Sequence, residues 1–259
     1  MAVAIPFGLA IGLSLGMLGG GGAVLAVPVL VYVLDQDVHA ATTSSLAIVA
    51  AAALAGGLAQ TRERRVCWRH AIAFTVPAVA GVAVGTVVNQ AVGSSALLAL
   101  FAVAMLGAAW VTWRKGTSER DEGDPNSACP PLRLGRDTAA GFVVGALTGF
   151  LGVGGGFVVV PALAVALRLP MRFAIGTSLV VITAVSATGL VAHLLAGSEP
   201  EAEVTVPLTA ACVAGALVGA AVGQRVSPRL LARGFALLLL AVATYLLLAA
   251  AFLGGPPDG

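Results

Sequence analysis

The chain has 259 residues, 59% of them hydrophobic, 10% charged, and a net charge of +2. Its mean hydropathy is +1.00, whereas soluble domains hold roughly a quarter of their residues as charges, so a soluble enzyme, a nucleic-acid binder and a disordered chain are excluded. The basic residues flank apolar stretches rather than forming one patch, which also argues against nucleic acid as a partner.

Charge-free stretches cover 1–34, 38–61, 70–113, 138–167, 173–198, 204–224 and 234–257. Each holds the roughly 20 apolar residues that cross a bilayer, and 70–113 is long enough for two crossings. The runs are apolar on every side, unlike the alternating strands of a β-barrel. The chain therefore reads as an all-α polytopic membrane protein. No basic n-region precedes MAVAIPFGLAIGLSLG, which reads as mature structure rather than a cleaved signal. Cys67, Cys129 and Cys212 have no CxxC spacing, so no disulfide framework, zinc site or other cofactor is expected.

The first segment, 8–34, repeats at 141–167. Gly8, Gly12, Gly16, Leu18, Gly19, Gly21, Gly22, Val27, Pro28, Leu30 and Leu34 fall on Gly141, Gly145, Gly149, Leu151, Gly152, Gly154, Gly155, Val160, Pro161, Leu163 and Leu167. The register continues through Ser45-Leu46 over Ser178-Leu179. One residue further out of phase, Gly81, Gly85 and Gln90 fall on Gly215, Gly219 and Gln224. The organisation is thus a first repeat, 1–113, a charged and proline-containing linker, 114–137, and a second repeat, 138–259. Each repeat reads as a glycine-broken segment followed by three spans, at about 40–60, 70–92 and 95–113, then about 174–196, 204–224 and 230–253.

Arg62, Arg64, Arg65 and Arg69 place the loop after the first span on the cytoplasmic side, and the linker agrees with Arg114, Lys115, Arg120, Arg133 and Arg136. In the second repeat the signs reverse at matching positions. Arg168 and Arg172 replace Asp35 and His39; Glu199, Glu201 and Glu203 replace the arginine loop; Arg225, Arg229 and Arg233 replace an uncharged turn near Gly93. The repeats are accordingly expected to be inverted. Inversion makes each glycine-broken segment a re-entrant hairpin, broken at Gly19–Gly22 and Gly152–Gly156, with arms of about 20 Å against a ~30 Å hydrocarbon core. The alternative is a kinked full span.

Inverted repeats with broken helices are transporter architecture, with substrate held between the repeats. Helices restarting at about Ala23 and Phe157 would aim unpaired N–H groups and positive dipole ends at an anion. The expected substrate contacts are Gly20, Gly21, Gly22, Ala23 and Val24, with Gly154, Gly155, Gly156, Phe157 and Val158 opposite. Ser44, Ser45, Thr177 and Ser178 would add neutral donors, or act as caps of the following helices. Pro28 and Pro161 would kink or shorten the second arms. Gln60 and His193 occupy equivalent positions and are candidates for coupling or substrate contact; His193 is read as the most deeply placed titratable group. His39 and His70 are expected at the interface, with Tyr32, Trp110 and Trp113 as anchors. Asn89, Gln90 and Gln224 fit interhelical hydrogen bonding. The glycine stripes Gly8/Gly12/Gly16, Gly141/Gly145/Gly149, Gly81/Gly85 and Gly215/Gly219/Gly223 fit close helix packing.

The paired LGGGGAVLAVPVL and LGVGGGFVVVPAL segments, each followed by a Thr/Ser-rich span start, resemble the TauE/SafE family of sulfite exporters, also called the 4-toluene sulfonate uptake permease family. The resemblance covers nearly the whole chain. It implies transport of small sulfur-containing anions (sulfite, sulfonates, sulfoacetate) across a bacterial inner membrane, in either direction. The run GGGGA departs from the spacing of GVGGG, so the halves differ there. There is no HExxH, no GxSxG and no paired intramembrane carboxylates, so the expectation is a transporter and not an enzyme. An anion channel using the same hairpins, or a carrier of an unrelated solute, is the competing reading. The expected partners are the anion and the lipid bilayer, compatible with a homodimer.

Overall fold

Periodicity fails as a guide in this chain because its helices are apolar on all faces; glycine, proline and charge set their limits instead. The computed structural model describes residues 4–34, 36, 38–89, 94–116, 129–151, 156–195 and 201–252. These form ten α-helices: α1 (Ala4–Leu18), α2 (Gly21–Pro28), α3 (Val38–Arg62), α4 (Trp68–Asn89), α5 (Ser94–Gly116), α6 (Leu134–Leu151), α7 (Gly156–Pro161), α8 (Met171–Leu195), α9 (Ala202–Gly223) and α10 (Pro228–Phe252). No strand occurs among the described residues. Helix α6 begins inside the stretch read as linker. Helices α3, α8 and α9 are long and apolar enough to cross a membrane, whereas Ile5–Leu18, Gly21–Val31 and Gly156–Ala166 are shorter.

The first break is narrower than expected. Only Gly19 and Gly20 lie between α1 and α2; Gly21 and Gly22 are already helical. In the second repeat, Gly152–Gly155 lie outside the described residues, and Gly156 opens α7. The prolines close the α-helical part of their arms. Each is the last α residue before a π-helical turn, Val29–Val33 and Ala162–Ala166. A proline has no N–H, so the ladder widens past it. The widened turns end with matching bonds: Leu34 N–H to Val29 O and Gln36 N–H to Leu30 O, against Leu167 N–H to Ala162 O and Leu169 N–H to Leu163 O.

Advancing by one repeat maps α1–α5 onto α6–α10, and the packing respects that exchange. Helix α1 lies on α9 and α6 on α4; α3 touches α9 and α8 touches α4; α3–α8, α5–α10 and α2–α7 are self-paired. The glycine stripes make the first two interfaces. A Cβ added at Gly12 or Gly16 would lie 2.0 Å or 2.2 Å from the carbonyl oxygen of Cys212 or Ala216, so no side chain fits. Gly141, Gly145 and Gly149 meet the carbonyls of Phe74, Ala78 and Val82 at 2.2, 2.0 and 2.1 Å in the same sense. Numbers rise together across both interfaces, so these pairs are parallel. Across α3 and α8 they run oppositely: Gly57 faces Leu179, and Leu46 faces Gly189.

One end of the array is basic. Arg65 lies beside Arg172, Arg233 stacks over Trp113 at 5.9 Å, and the loop after α3 is joined to the start of α6. At the other end Gln36 donates to Glu201 at 2.8 Å. Between the ends, the outer face is greasy: Ile72, Val76, Val103, Val206 and Leu230 are exposed. Such continuous exposed apolar surface suits lipid rather than water.

Candidate functional site

Helix α1 stops because Gly19 adopts φ +75°, the left-handed conformation that glycine reaches without a Cβ penalty. That turn aims the Gly19 carbonyl at α8, where the buried Ser178 hydroxyl sits 2.6 Å from it and 2.8 Å from Ile175 O. Helix α2 then folds back on α1: a Cβ on Gly22 would be 2.2 Å from Ile11 O. Gly20 stands at the N-cap of α2 and offers no side-chain cap, and Gly21, Gly22, Ala23 and Val24 are buried. The first turn of a helix has N–H groups without intrahelical acceptors; here that turn is buried, Gly20 gives it no side-chain cap, and the Ala23 N–H bonds Gly20 O at 3.3 Å.

The opposite arm meets this point directly. A Cβ on Gly20 would lie 2.1 Å from Gly156 O, and one on Gly156 would lie 3.0 Å from the Cβ of Ala23. Ala23 and Gly156 are equivalent in the two repeats, so the two arms meet at matching positions. Phe157 is fully buried beside them at 1% exposure. Gly154 and Gly155 fall outside the described residues.

The remaining expected residues divide among three places. Ser178 is at the break. Ser45, its repeat mate, donates to Thr42 O at 2.8 Å, as Ser178 does to Ile175 O. Ser44 accepts from Thr205 at 2.9 Å, and Thr177 accepts from the Cys67 N–H at 3.0 Å, anchoring the start of α4. None of these hydroxyls caps its own helix, because α3 begins at Val38 and α8 at Met171. Toward the acidic end, Thr43 lies 3.3 Å from His193 Nδ1. Toward the basic end, Gln60 packs on Gly176, the repeat mate of Thr43. His193 and Gln60 therefore flank the α3–α8 seam rather than converge on one point.

Two expectations are overturned. His193 is only half-buried, whereas His70 is 2% exposed and Asp137 is 0% exposed. His70 Nδ1 pairs with Asp137, and its Nε2 lies 3.0 Å from Pro130 O. His70 stands in the first turn of α4, at the end of a span, and the chain entering α6 folds over it. Cys67 and Cys129 also form a disulfide, with Cα atoms 5.8 Å apart, leaving Cys212 free and buried. An odd cysteine count hid that pair, and nothing in the local spacing announces a bond spanning 62 residues. Tyr32 and His39 have side chains outside the described set. Trp110 and Trp113 are exposed, with Arg114 over Trp110 at 5.1 Å.

The structure also gathers a group that the charge pattern had used only for topology. Arg64 takes φ +56° just past α3, and the turn closes with Arg64 N–H to Thr61 O and Arg65 N–H to Gln60 O, both 3.0 Å. This is the paired-bond helix terminator usually made with glycine. It turns Arg65 back over Gln60.

The profile of the family described as "Sulfite exporter TauE/SafE" matches residues 4–246. A "Probable membrane transporter protein" of Xylella fastidiosa (strain 9a5c) is 35% identical over 198 residues, covering 75% of this chain and 73% of that one. "Probable membrane transporter protein YunE" of Bacillus subtilis is 27% identical over 216 residues, covering 75% and 78%. A probable membrane transporter protein of Methanocaldococcus jannaschii is 26% identical over 205 residues, covering 75% and 74%. No solved structure matches at a significant level. A glycine-broken, duplicated helical chain matched from its first helix to its last thus belongs to the TauE/SafE sulfite exporter family of membrane transporters.

Proposed function

We propose that the protein is a secondary transporter of small sulfur-containing oxyanions, of the sulfite, sulfonate and sulfoacetate class, in a bacterial inner membrane. The observation that carries this reading is the buried N-terminus of α2, which its N-cap Gly20 leaves without a side-chain cap, facing α7 across the Gly20–Gly156 contact. Backbone N–H groups and the helix dipole bind an anion there without a buried cation. Ser178 supplies a hydroxyl beside the break, and Ser45 is its mate in the other repeat.

Inverted repeats are supported by the packing senses. Helices α3 and α8 are repeat mates and antiparallel, so an axis relating them lies across the helices, in the membrane plane. Helix α2 folds back on α1 as a re-entrant arm must. The arginine-rich end, including the 114–137 linker, faces the cytoplasm. The inside-negative potential then assists anion export by about 2.3 kcal/mol per charge per 100 mV.

The test is thermal unfolding of the purified protein with sulfite, sulfate, sulfoacetate, taurine, toluenesulfonate, chloride and acetate, followed by flux of any stabilising anion in proteoliposomes. A selective ligand at 100 times its Kd stabilises by about 2.7 kcal/mol. Stabilisation confined to sulfur oxyanions, with saturable flux and counterflow, is the expected result. A panel in which acetate or chloride equals sulfite removes the sulfur-oxyanion assignment, and unsaturable flux makes the protein a channel.

A further inference from the structure

Beside the first break, at the basic end, α1, α3, α8, α9 and α10 converge on a narrow cleft with room for about one water, about 10 Å³, lined by Met17, Gln60, Arg65, Arg172, Ile175, Gly223 and Leu231. Ile175 also faces the break, since a Cβ on Gly19 would lie 2.9 Å from its Cα.

Its lining is chemically unbalanced. Gln60 is 4% exposed, and its Oε1 has no hydrogen-bond partner among the described residues. A buried amide oxygen left without a donor is costly. Arg65 is half-buried, and both burial and the neighbouring Arg172 lower its guanidinium pKa, with Glu63 opposing them. Two guanidinium groups are thus held near one another by a backbone turn that itself sets Arg64 at positive φ. Arginines at a membrane end ordinarily spread into water; here one is folded inward over a buried amide.

We infer that Gln60, Arg65 and Arg172 form an oxyanion-binding mouth, distinct from the glycine break, through which the substrate passes on its way from the basic end. The arginine forks take anionic oxygens. The Gln60 carboxamide completes the match either way round: its NH₂ donates to a bare oxygen, or its carbonyl accepts the O–H of a protonated oxyanion such as hydrogensulfite. The mouth concentrates anion by charge, and the break selects it by backbone geometry. The inference rests on the transport reading, and the experiment separates the two.

The probe is sulfite on the full-length protein. Phenylglyoxal modification of Arg65 and Arg172, followed by mass spectrometry, is expected to be slowed by sulfite and not by acetate. In proteoliposomes, Arg65→Gln, Arg172→Gln and Gln60→Ala are each expected to raise KM for sulfite about tenfold, the scale of one charge-assisted hydrogen bond, with little change in kcat. Arg65→Lys, which keeps the charge, controls for folding and should lose less. Flux by the wild type with KM unchanged in all three variants, or with no arginine protection, overturns the mouth. Arginine protection without sulfite flux instead overturns the transport reading and leaves the mouth as an anion site.

Discussion

Replacing Gly145 by leucine is expected to disrupt the packing of α6 on α4 and to lower stability by roughly 3 kcal/mol or more. The reason is the obstacle. A Cβ at this position would lie 2.0 Å from the Ala78 carbonyl oxygen, and helix backbone has no rotamer by which to retreat. The interface is reciprocal: Gly81 and Gly85 of α4 meet the carbonyls of Phe142 and Ala146 at 2.3 and 2.0 Å. Both helices must therefore part along their length. Gly107 of α5 provides the contrast, since nothing lies within 4 Å of a Cβ built there. Gly107→Leu should be neutral or stabilising, by up to about 1 kcal/mol of helix propensity. Thermal unfolding and size-exclusion profiles in detergent decide it, and equal stability of the two variants would refute the packing account.

The second large effect is expected at the break. Gly20→Ala should reduce sulfite flux at least about a hundredfold, a transport-state change of roughly 2.7 kcal/mol or more, while Gly21→Ala keeps most of it. The two glycines are adjacent in one run but face different things. Gly20 faces the Gly156 backbone at 2.1 Å, so an added methyl wedges the two arms apart. Gly21 faces the tip of Leu238 at 2.7 Å, which can swing aside. The run GGGG is thus three requirements and one tolerance: Gly19 for its positive φ, Gly20 and Gly22 for backbone approach, and Gly21 for neither. Parallel flux measurements on both variants at matched protein content are the check. Equal loss, or equal retention, would show that the break does not act through the Gly20–Gly156 contact.

Much of this architecture is written in the repeat. The matched glycines and prolines announce two copies of one helical unit, and the described helices fall within a few residues of the expected spans. A glycine stripe announces that a backbone will approach, but not whose. That α1 would choose α9, and α6 choose α4, depends on how two copies embrace, which no local pattern encodes. Prolines in matched places marked a disturbance, yet the widening to a π-turn depends on where the freed carbonyls find donors. Thr42–Ser45 and Gly176–Ser178 looked like helix starts because the charge boundary lies just before them; the helices begin a turn earlier, so those hydroxyls face neighbouring elements. His70, Asp137, Cys67 and Cys129 stayed hidden because each lies in a different loop or helix end, and only the fold-over of the chain entering α6 brings them together. For the glycine break the sequence named the right segment; for Gln60 and Arg65 it separated residues that one turn of backbone joins.

The interleaving of the repeats also decides what can move. Rocking one sequence half against the other would tear α1 from α9 and α6 from α4, the interfaces where backbone touches backbone. Sparing both groups the helices differently: α4, α6 and α8 stand together, as do α1, α3 and α9, and α5 on α10 and α2 on α7 lie across the division. A seam free of backbone-to-backbone collision is α3 on α8, where a Cβ on Gly57 would meet Leu179 at ordinary van der Waals distance. A short bifunctional thiol reagent bridging Leu46→Cys and Gly189→Cys should therefore arrest transport.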